Sequence, residues 1–426
     1  MKKIYQINFL KCVMFALILM SVNTITAQYS NQVTFSGTRF AVRINGVDSG
    51  TESSLGTAIN RCIGTGNRTV HILAGGTINQ QINLQPGLIL DCHSVTFNKT
   101  HTGVGFFRDG AGPITIKDMN LNNNTNFGIR TSRASNVTIT NVRISGGGIG
   151  IRIDSHPSRP YEAQNIVRTI AVNNCSLLNT SGHGLETYGV DGFTLNTITT
   201  NNNGECGVLL NRTFNGRLGT VNAFRSGNGT GYAGLRLAND CDNIVTQNLI
   251  ANECGRGYFV LTGSKNSTLN NCRITNGTGV GIWLENVVNC RVLAGCTNDG
   301  IAVTGSGSSA AGVSQVNCSA SRFAEPTKNM DIQAIDTENA EVLTNSNQLS
   351  LEVSPNPTTG EFTISLPDSF QSDTTVNIYN VTGSIVKQEV HNTQNISINI
   401  ADLPKGIYVL SVTNSKSEII KKIIKN

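Results

Sequence analysis

Charged residues make up only 14% of this chain, so a local concentration of them is informative. Arg130, Arg152, Asp154, His183, Glu186, Tyr188, Asn211 and Arg236 follow one another at intervals along the middle of the sequence. Histidine, carboxylate and phenol are side chains that move protons near neutral pH. Arginine binds carboxylates and sulfates through two parallel hydrogen bonds. Together they suit proton abstraction beside a carboxylate whose charge a guanidinium neutralises, with His183 or Tyr188 as the base. Asp154 and Glu186 suit a second chemistry, in which one carboxyl acts as acid and the other as base. Asp154, Glu186 and Asn211 are also hard oxygen ligands of the kind that hold calcium.

The elements that would position these residues repeat. The middle of the chain is rich in Gly, Asn, Thr, Ile and Val, which favours short strands and tight turns over helices. A segment of the form x-Gly-apolar-x-apolar-x recurs about every 22–26 residues, a solenoid period. It is seen at Phe127–Ser132, Ile149–Asp154, His183–Tyr188, Cys206–Asn211, Ala233–Ala238, Arg256–Leu261 and Val280–Glu285. With side chains alternating along a strand, the third and fifth places face a core and the fourth and sixth face outward. Glycine in the second place leaves an open floor. Stacking aligns the fourth places into one ladder: Arg130, Arg152, Glu186, Leu209, Arg236, Phe259 and Trp283. The sixth places form another: Ser132, Asp154, Tyr188, Asn211, Ala238, Leu261 and Glu285. The ionisable ends of both ladders coincide, and His183 enters that patch from the start of its strand. Asp154 and Glu186 then lie diagonally, roughly 8 Å apart at Cα for coils about 4.8 Å apart. That fits the ~6.5–9.5 Å carboxyl separation of inverting hydrolases. The segment 155–165 (SHPSRPYEAQN) interrupts the repeat beside the patch, and His156, Arg159 and Tyr161 would form a groove wall.

These repeats resemble the right-handed parallel β-helix of the pectate-lyase-like superfamily, and the fold class expected is all-β. Leu55, Ile59 and Ile63 have helical spacing, so Ser53–Ile63 predicts a helix capping the open end. Gly182-His183-Gly184 is similar to the Gly-His-Gly motif of polygalacturonase-type hydrolases, in the same register. Arg236 matches the Arg of their Arg-Ile-Lys motif, with Ala238 in place of Lys. Their paired aspartates are absent: Gly148-Ile149 and Asn126-Phe127 stand there instead. The resemblance thus implies the fold and a groove, without that family's acids. A linear groove on a stiff rod suits a linear polymer, and arginines suit an anionic one. The leading expectation is a lyase cleaving a uronate-containing glycan by β-elimination. His183, Glu186, Tyr188 and Asp154 are its catalytic candidates. Arg130, Arg152, Asn211, Arg236 and Trp283 are its substrate-binding ones. An inverting hydrolase on Asp154 and Glu186, and a non-catalytic surface glycan-binding or adhesion protein, stand as alternatives.

The flanks speak to location. Residues 1–28 carry Lys2, Lys3 and Lys11, an apolar run from Cys12 to Met20, and a small polar end at Ala27, the pattern of a secretory signal. That apolar run is shorter than the ~20 residues a membrane span needs. Loss of the segment removes three lysines from a formal charge of +5 and leaves a nearly neutral chain, unsuited to general nucleic-acid binding. Ten cysteines remain without a CxxC pair or a tight His/Cys cluster, which argues against zinc. They read as buried core residues or as disulfides, with Cys290–Cys296 and Cys62–Cys92 the first pairs to test. The solenoid is assigned to 29–324 and a polar linker to 325–348. Residues 349–426 contain Pro355-Asn-Pro-Thr-Thr-Gly360, Leu403-Pro-Lys-Gly-Ile-Tyr408 and a basic tail. This module resembles the type IX secretion C-terminal sorting domain, which implies a small Ig-like β-sandwich, passage through the type IX machinery and removal outside the cell. A monomer is expected. The secreted form should begin near Gln28 and end near residue 345, as intact-mass measurement of culture supernatant would show; a mature chain still carrying Asn426 would contradict C-terminal removal.

Overall fold

The computed structural model describes residues 29–156, 166–227, 231–261, 263–315, 318, 352–366, 374–379, 385–413 and 418–426. The signal segment, Arg159 and Tyr161, and the linker lie outside these described residues. The chain divides into two compact units, Met1–Met330 and Asp331–Asn426.

The first unit is a parallel β-solenoid. A single coil leaves its strand N–H and C=O groups unpaired, so each coil must hydrogen-bond to the next. In one column ten strands stack in chain order, from Ile82–Asn83 and Phe106–Asp109 through Phe127–Ser132 and Ile149–Asp154 to Ile301–Val303. Two further columns run beside it. Leu88–Asp91 and Thr96–Lys99 pair with the two halves of Ile114–Asn122, which in turn pairs with Val137–Ser145. Inside, Ile116, Ile129, Ile139, Ile151, Leu177, Leu185, Val208 and Leu235 are fully enclosed and form one continuous core.

Two residue types make this stacking possible. The repeat glycines stand where backbones nearly touch. A Cβ on Gly150 would lie 2.6 Å from the Gly184 carbonyl oxygen, and one on Gly184 would lie 2.6 Å from that of Gly207. These glycines face the core rather than an open floor: a Cβ on Gly150 would also meet Leu177 at 3.1 Å. Asparagine takes the turns. Asn141, Asn174, Asn179 and Asn202 all have φ near +55°, a conformation Asn tolerates better than most residues. Their side chains bridge coils, Asn174 Nδ2 donating to Asn141 Oδ1 at 2.7 Å and Asn202 Nδ2 to Asn179 Oδ1 at 2.9 Å.

The N-terminal end is capped. Gln32–Ser36, Arg39–Ile44 and Val47–Glu52 form an antiparallel meander, and a helix spans Leu55–Ile63. It buries Leu55, Ala58, Ile59, Cys62 and Ile63 against the first coil. The expected helix is present, with Ser53 left outside and Ser54 as its N-cap. Cysteine pairing differs from the pairs singled out. Cys296 bonds to Cys318, with Cα atoms 5.3 Å apart, because the chain returns over Cys296 one coil later. Cys62, Cys92 and Cys290 are free and buried, as are Cys175, Cys206, Cys241, Cys254 and Cys272. Among the described residues no helix is long and apolar enough to cross a membrane.

The second unit is antiparallel. Glu352–Ser354, Glu361–Ser365 and Asn395–Asn399 form one sheet. Thr374–Tyr379, Ile385–His391, Gly406–Thr413 and Glu418–Lys425 form another. Phe362, Ile364, Val376, Ile396, Leu410 and Ile423 are buried together as their core.

Truncating a stacked core residue should be costly, because neighbouring coils cannot collapse into the gap. Ile151→Ala should lower unfolding free energy by about 2–5 kcal/mol in a guanidinium titration. Leu293→Ala, at a position 52% exposed, should change it by no more than about 0.5 kcal/mol. Equal effects would contradict this core.

Candidate functional site

Both ladders form in the expected register. Arg130 pairs with Arg152, Arg152 with Glu186, Glu186 with Leu209, Leu209 with Arg236, Arg236 with Phe259, and Phe259 with Trp283. Ser132, Asp154, Tyr188, Asn211 and Ala238 align likewise. Their environment differs from the outward face expected of them. Ser132 and Asp154 are 0% exposed, Asn211 is 3%, Glu186 4% and Tyr188 6%. The sixth-place side chains stay on the same side as the fourth-place arginines that bond and stack on them, and this mutual cover buries them.

What fills this layer is an ion-pair network. Arg130 Nε and Arg152 Nε donate to Asp154 Oδ2 at 2.9 and 3.0 Å, and Ser132 Oγ donates to Oδ1. Arg152 Nη1 also reaches Glu186 Oε2 at 2.9 Å, while Asn211 Nδ2 donates to Glu186 Oε1 at 3.4 Å. Asn239 Nδ2 donates to Asn211 Oδ1 at 2.7 Å and to the Tyr188 hydroxyl at 3.3 Å. Burial raises the Glu186 carboxyl above its ordinary range, an effect that Arg152 opposes and Asp154 and Glu205 reinforce. Calcium does not fit here. The oxygens of Asp154, Glu186 and Asn211 already accept hydrogen bonds, and a guanidinium stands between the two carboxylates.

His183 belongs to a neighbouring set. The Cys206 backbone N–H donates to His183 Nδ1 at 3.0 Å, which fixes the proton on Nε2. That nitrogen lies 2.9 Å from Glu205 Oε2. The Tyr232 hydroxyl donates to Glu205 Oε1 at 3.0 Å. Burial, with Arg236 and Arg152 nearby, pushes the His183 pKa down to about 3, so the ring is neutral at physiological pH. Glu205 raises the Tyr232 phenol, which keeps its proton. Glu205 is the open member, its side chain 35% exposed against 9% for His183. Sequence reasoning missed both Glu205 and Tyr232. The chain pairing Leu185–Val208–Leu235 stacks Gly182, Glu205 and Tyr232 in one line, a place before the six-residue segment on which the ladders were built.

A long groove follows the adjoining coil corner. It is lined by residues of seven coils, including Asn124, Gly148, Ser181, Gly204, Arg225 and Thr278, and encloses about 910 Å³. At about 4.8 Å per coil it is roughly 29 Å long. Gly204 in its wall directly precedes Glu205, and Ser181 lies two residues before His183. Arg225 contributes a guanidinium to the lining, 3.7 Å from Glu253. Arg236 points elsewhere, its Nη1 donating to the Gly231 carbonyl at 2.6 Å. Trp283 stacks on Phe259 with centroids 5.2 Å apart, and Arg256 packs on both rings at 4.5 and 4.6 Å. His156 is half-buried at the end of the described strand region.

Residues 352–426 match the family described as the secretion system C-terminal sorting domain. The chain is therefore a type IX secretion substrate, delivered to the cell surface or beyond it. No curated protein matches the sequence. Among solved structures, tailspike protein 2 of Escherichia coli O157:H7 bacteriophage CAB120 is similar at 10% identity and a TM-score of 0.47, over 93% of this chain and 70% of that one. The A-module of an Azotobacter vinelandii mannuronan C-5 epimerase is similar at 14% identity and 0.37, over 60% and 92%. The catalytic unit of a Streptomyces thermodiastaticus α-1,3-glucanase is similar at 11% and 0.36, over 70% and 72%.

Two measurements probe this geometry. Asp154→Ala removes the carboxylate shared by two largely buried guanidinium groups and should cost about 3–5 kcal/mol of unfolding free energy; a fully stable variant would contradict the network. His183 resists protonation only when folded, so between pH 6.5 and about 3 the unfolded chain binds a proton that the native chain refuses. Stability should therefore fall with pH across that window, and Glu186 acts in the opposite sense. The difference between wild type and His183→Asn isolates the histidine; identical slopes would contradict a neutral buried ring.

Proposed function

We propose that this secreted chain is an enzyme acting on an anionic polysaccharide laid along the solenoid, and that it works by β-elimination at a uronate. One observation carries the reading: a partly exposed carboxylate, Glu205, next in the chain to the groove-lining Gly204, is held between the His183 Nε2–H and the Tyr232 hydroxyl. Carboxylate and phenol hydrogen-bonded to each other supply a base and an acid at one point. Glu205 takes the C5 proton of the uronate. Electrons move to form the C4–C5 double bond as the glycosidic oxygen leaves C4. Tyr232 protonates that oxygen and is recharged from Glu205 through their 3.0 Å hydrogen bond, so the proton count closes. His183, with Nδ1 held by the Cys206 N–H, fixes Glu205 rather than acting as base itself. Arg225, which lines the groove beside Glu253, is the guanidinium that would meet a uronate carboxylate there.

An inverting hydrolysis on Asp154 and Glu186 has less support. Asp154 is 0% exposed and accepts from Ser132, Arg130 and Arg152, so it has no access to a bound water. A binding role without catalysis would use the same groove and would leave Glu205 dispensable.

Glu205→Gln and Tyr232→Phe should each reduce turnover on uronate polymers by about 10²–10⁴-fold, the contribution of one acid or base. Their thermal midpoints should stay close to wild type, since neither residue belongs to the solenoid core. The assay is new reducing ends together with ultraviolet absorbance of the unsaturated product. Reducing ends without that absorbance would indicate hydrolysis. Polymer binding with no new ends in the wild type would favour the adhesion reading.

A further inference from the structure

The opening coils bring His71 beside Asp91 and His93, which lie one coil further along the chain. His71 and Asp91 are register partners on adjacent strands, facing away from the core. The chain turns immediately after Asp91, with His93 at φ 46°, and this brings the second imidazole back beside the first. His71 Nδ1 lies 2.9 Å from His93 Nε2. Asp91 Oδ2 lies 3.7 Å from His71 Nδ1, and Asp91 Oδ1 lies 3.6 Å from His93 Nε2. The three groups thus form a triangle of ligand atoms around one point. Bonds of about 2.0–2.1 Å in a tetrahedral zinc centre give ligand–ligand edges of roughly 3.3 Å, close to these separations.

The surroundings suit such a centre. Asp91 is buried and His71 half-buried. Tyr29 stacks flat on the His71 ring at 3.6 Å, fixing its orientation. The triangle contains no sulfur, and two imidazoles with one carboxylate are the borderline donor set of first-row divalent metals rather than of calcium. Lys117 Nζ lies 2.5 Å from Asp91 Oδ2 and competes for that carboxylate, but its side chain is 38% exposed and able to turn outward. We propose that His71, Asp91 and His93 form a binding site for a divalent metal of the zinc class, tying the first two coils to the turn that follows them. Three protein ligands leave a fourth position open to water. This site shares no residue with the groove and does not depend on the β-elimination reading.

The test uses the full chain, untagged and stripped with a chelator, titrated with Co²⁺ as a spectroscopic probe and then with Zn²⁺. One Co²⁺ per chain should bind, with the visible absorption of a tetrahedral centre, and Zn²⁺ should bleach it. His93→Ala should weaken uptake by about 100-fold or more, since loss of even an outer partner of a ligand costs 10–100-fold. His93 lies in an exposed turn, so far-UV circular dichroism should be unchanged. Lys117→Gln should strengthen uptake by removing the competing ammonium. A wild-type chain that takes up no Co²⁺, a His93→Ala chain that binds it as tightly, or a Lys117→Gln chain that binds it more weakly would overturn the proposal.

Discussion

Every feature of the first unit depends on one constraint: the backbone of each coil can satisfy its hydrogen bonds only on the coil above and the coil below. Strands in parallel register align equivalent residues into ladders. Ladders of Ile, Leu and Val make the core, and ladders of Asn satisfy the turns. The constraint also explains the glycines, whose missing Cβ lets carbonyl oxygens approach within a distance no side chain allows. It explains the cap as well, since the first coil has no neighbour below it and is covered by a helix and a meander instead.

The same stacking gives the site its division of labour. Asp154 and Glu186 sit one coil apart, and the arginines of their own ladder lock them together beneath the surface. Such a layer is costly to desolvate, and it is tolerable because each carboxylate oxygen has a donor. His183 sits over Cys206, whose backbone N–H decides which ring nitrogen carries the proton. Glu205 is thereby held partly exposed with two donors beside it. A buried, fully paired layer thus supports a single carboxylate that reaches solvent.

The register of this solenoid was legible in the sequence because each repeat glycine marks the phase of its strand. Arg130, Arg152, Glu186, Leu209, Arg236, Phe259 and Trp283 align as the spacing predicts. Burial was not legible. Alternation keeps Asp154, Tyr188 and Asn211 on the outward side, but Arg152 and Asn239 close over them there, and spacing does not reveal such cover. Glu205 and Tyr232 lie one place before the repeated segment, so nothing in the segment pointed to them. The triangle of His71, Asp91 and His93 was hidden for another reason. The first coils lack the glycine repeat, and without a phase mark 20 residues of separation say nothing about proximity. The sorting domain at 352–426 was readable because its Pro, Gly and basic motifs occur together in order.

Mass balance distinguishes the proposed elimination from hydrolysis and from simple binding. Elimination breaks a polymer without consuming water, whereas hydrolysis adds one water per bond broken. A defined uronate oligosaccharide, incubated with the secreted protein and analysed by mass spectrometry, should yield products whose masses sum to that of the substrate. Products heavier by one water per cleavage, or an oligosaccharide that is bound and left intact, would rule out elimination.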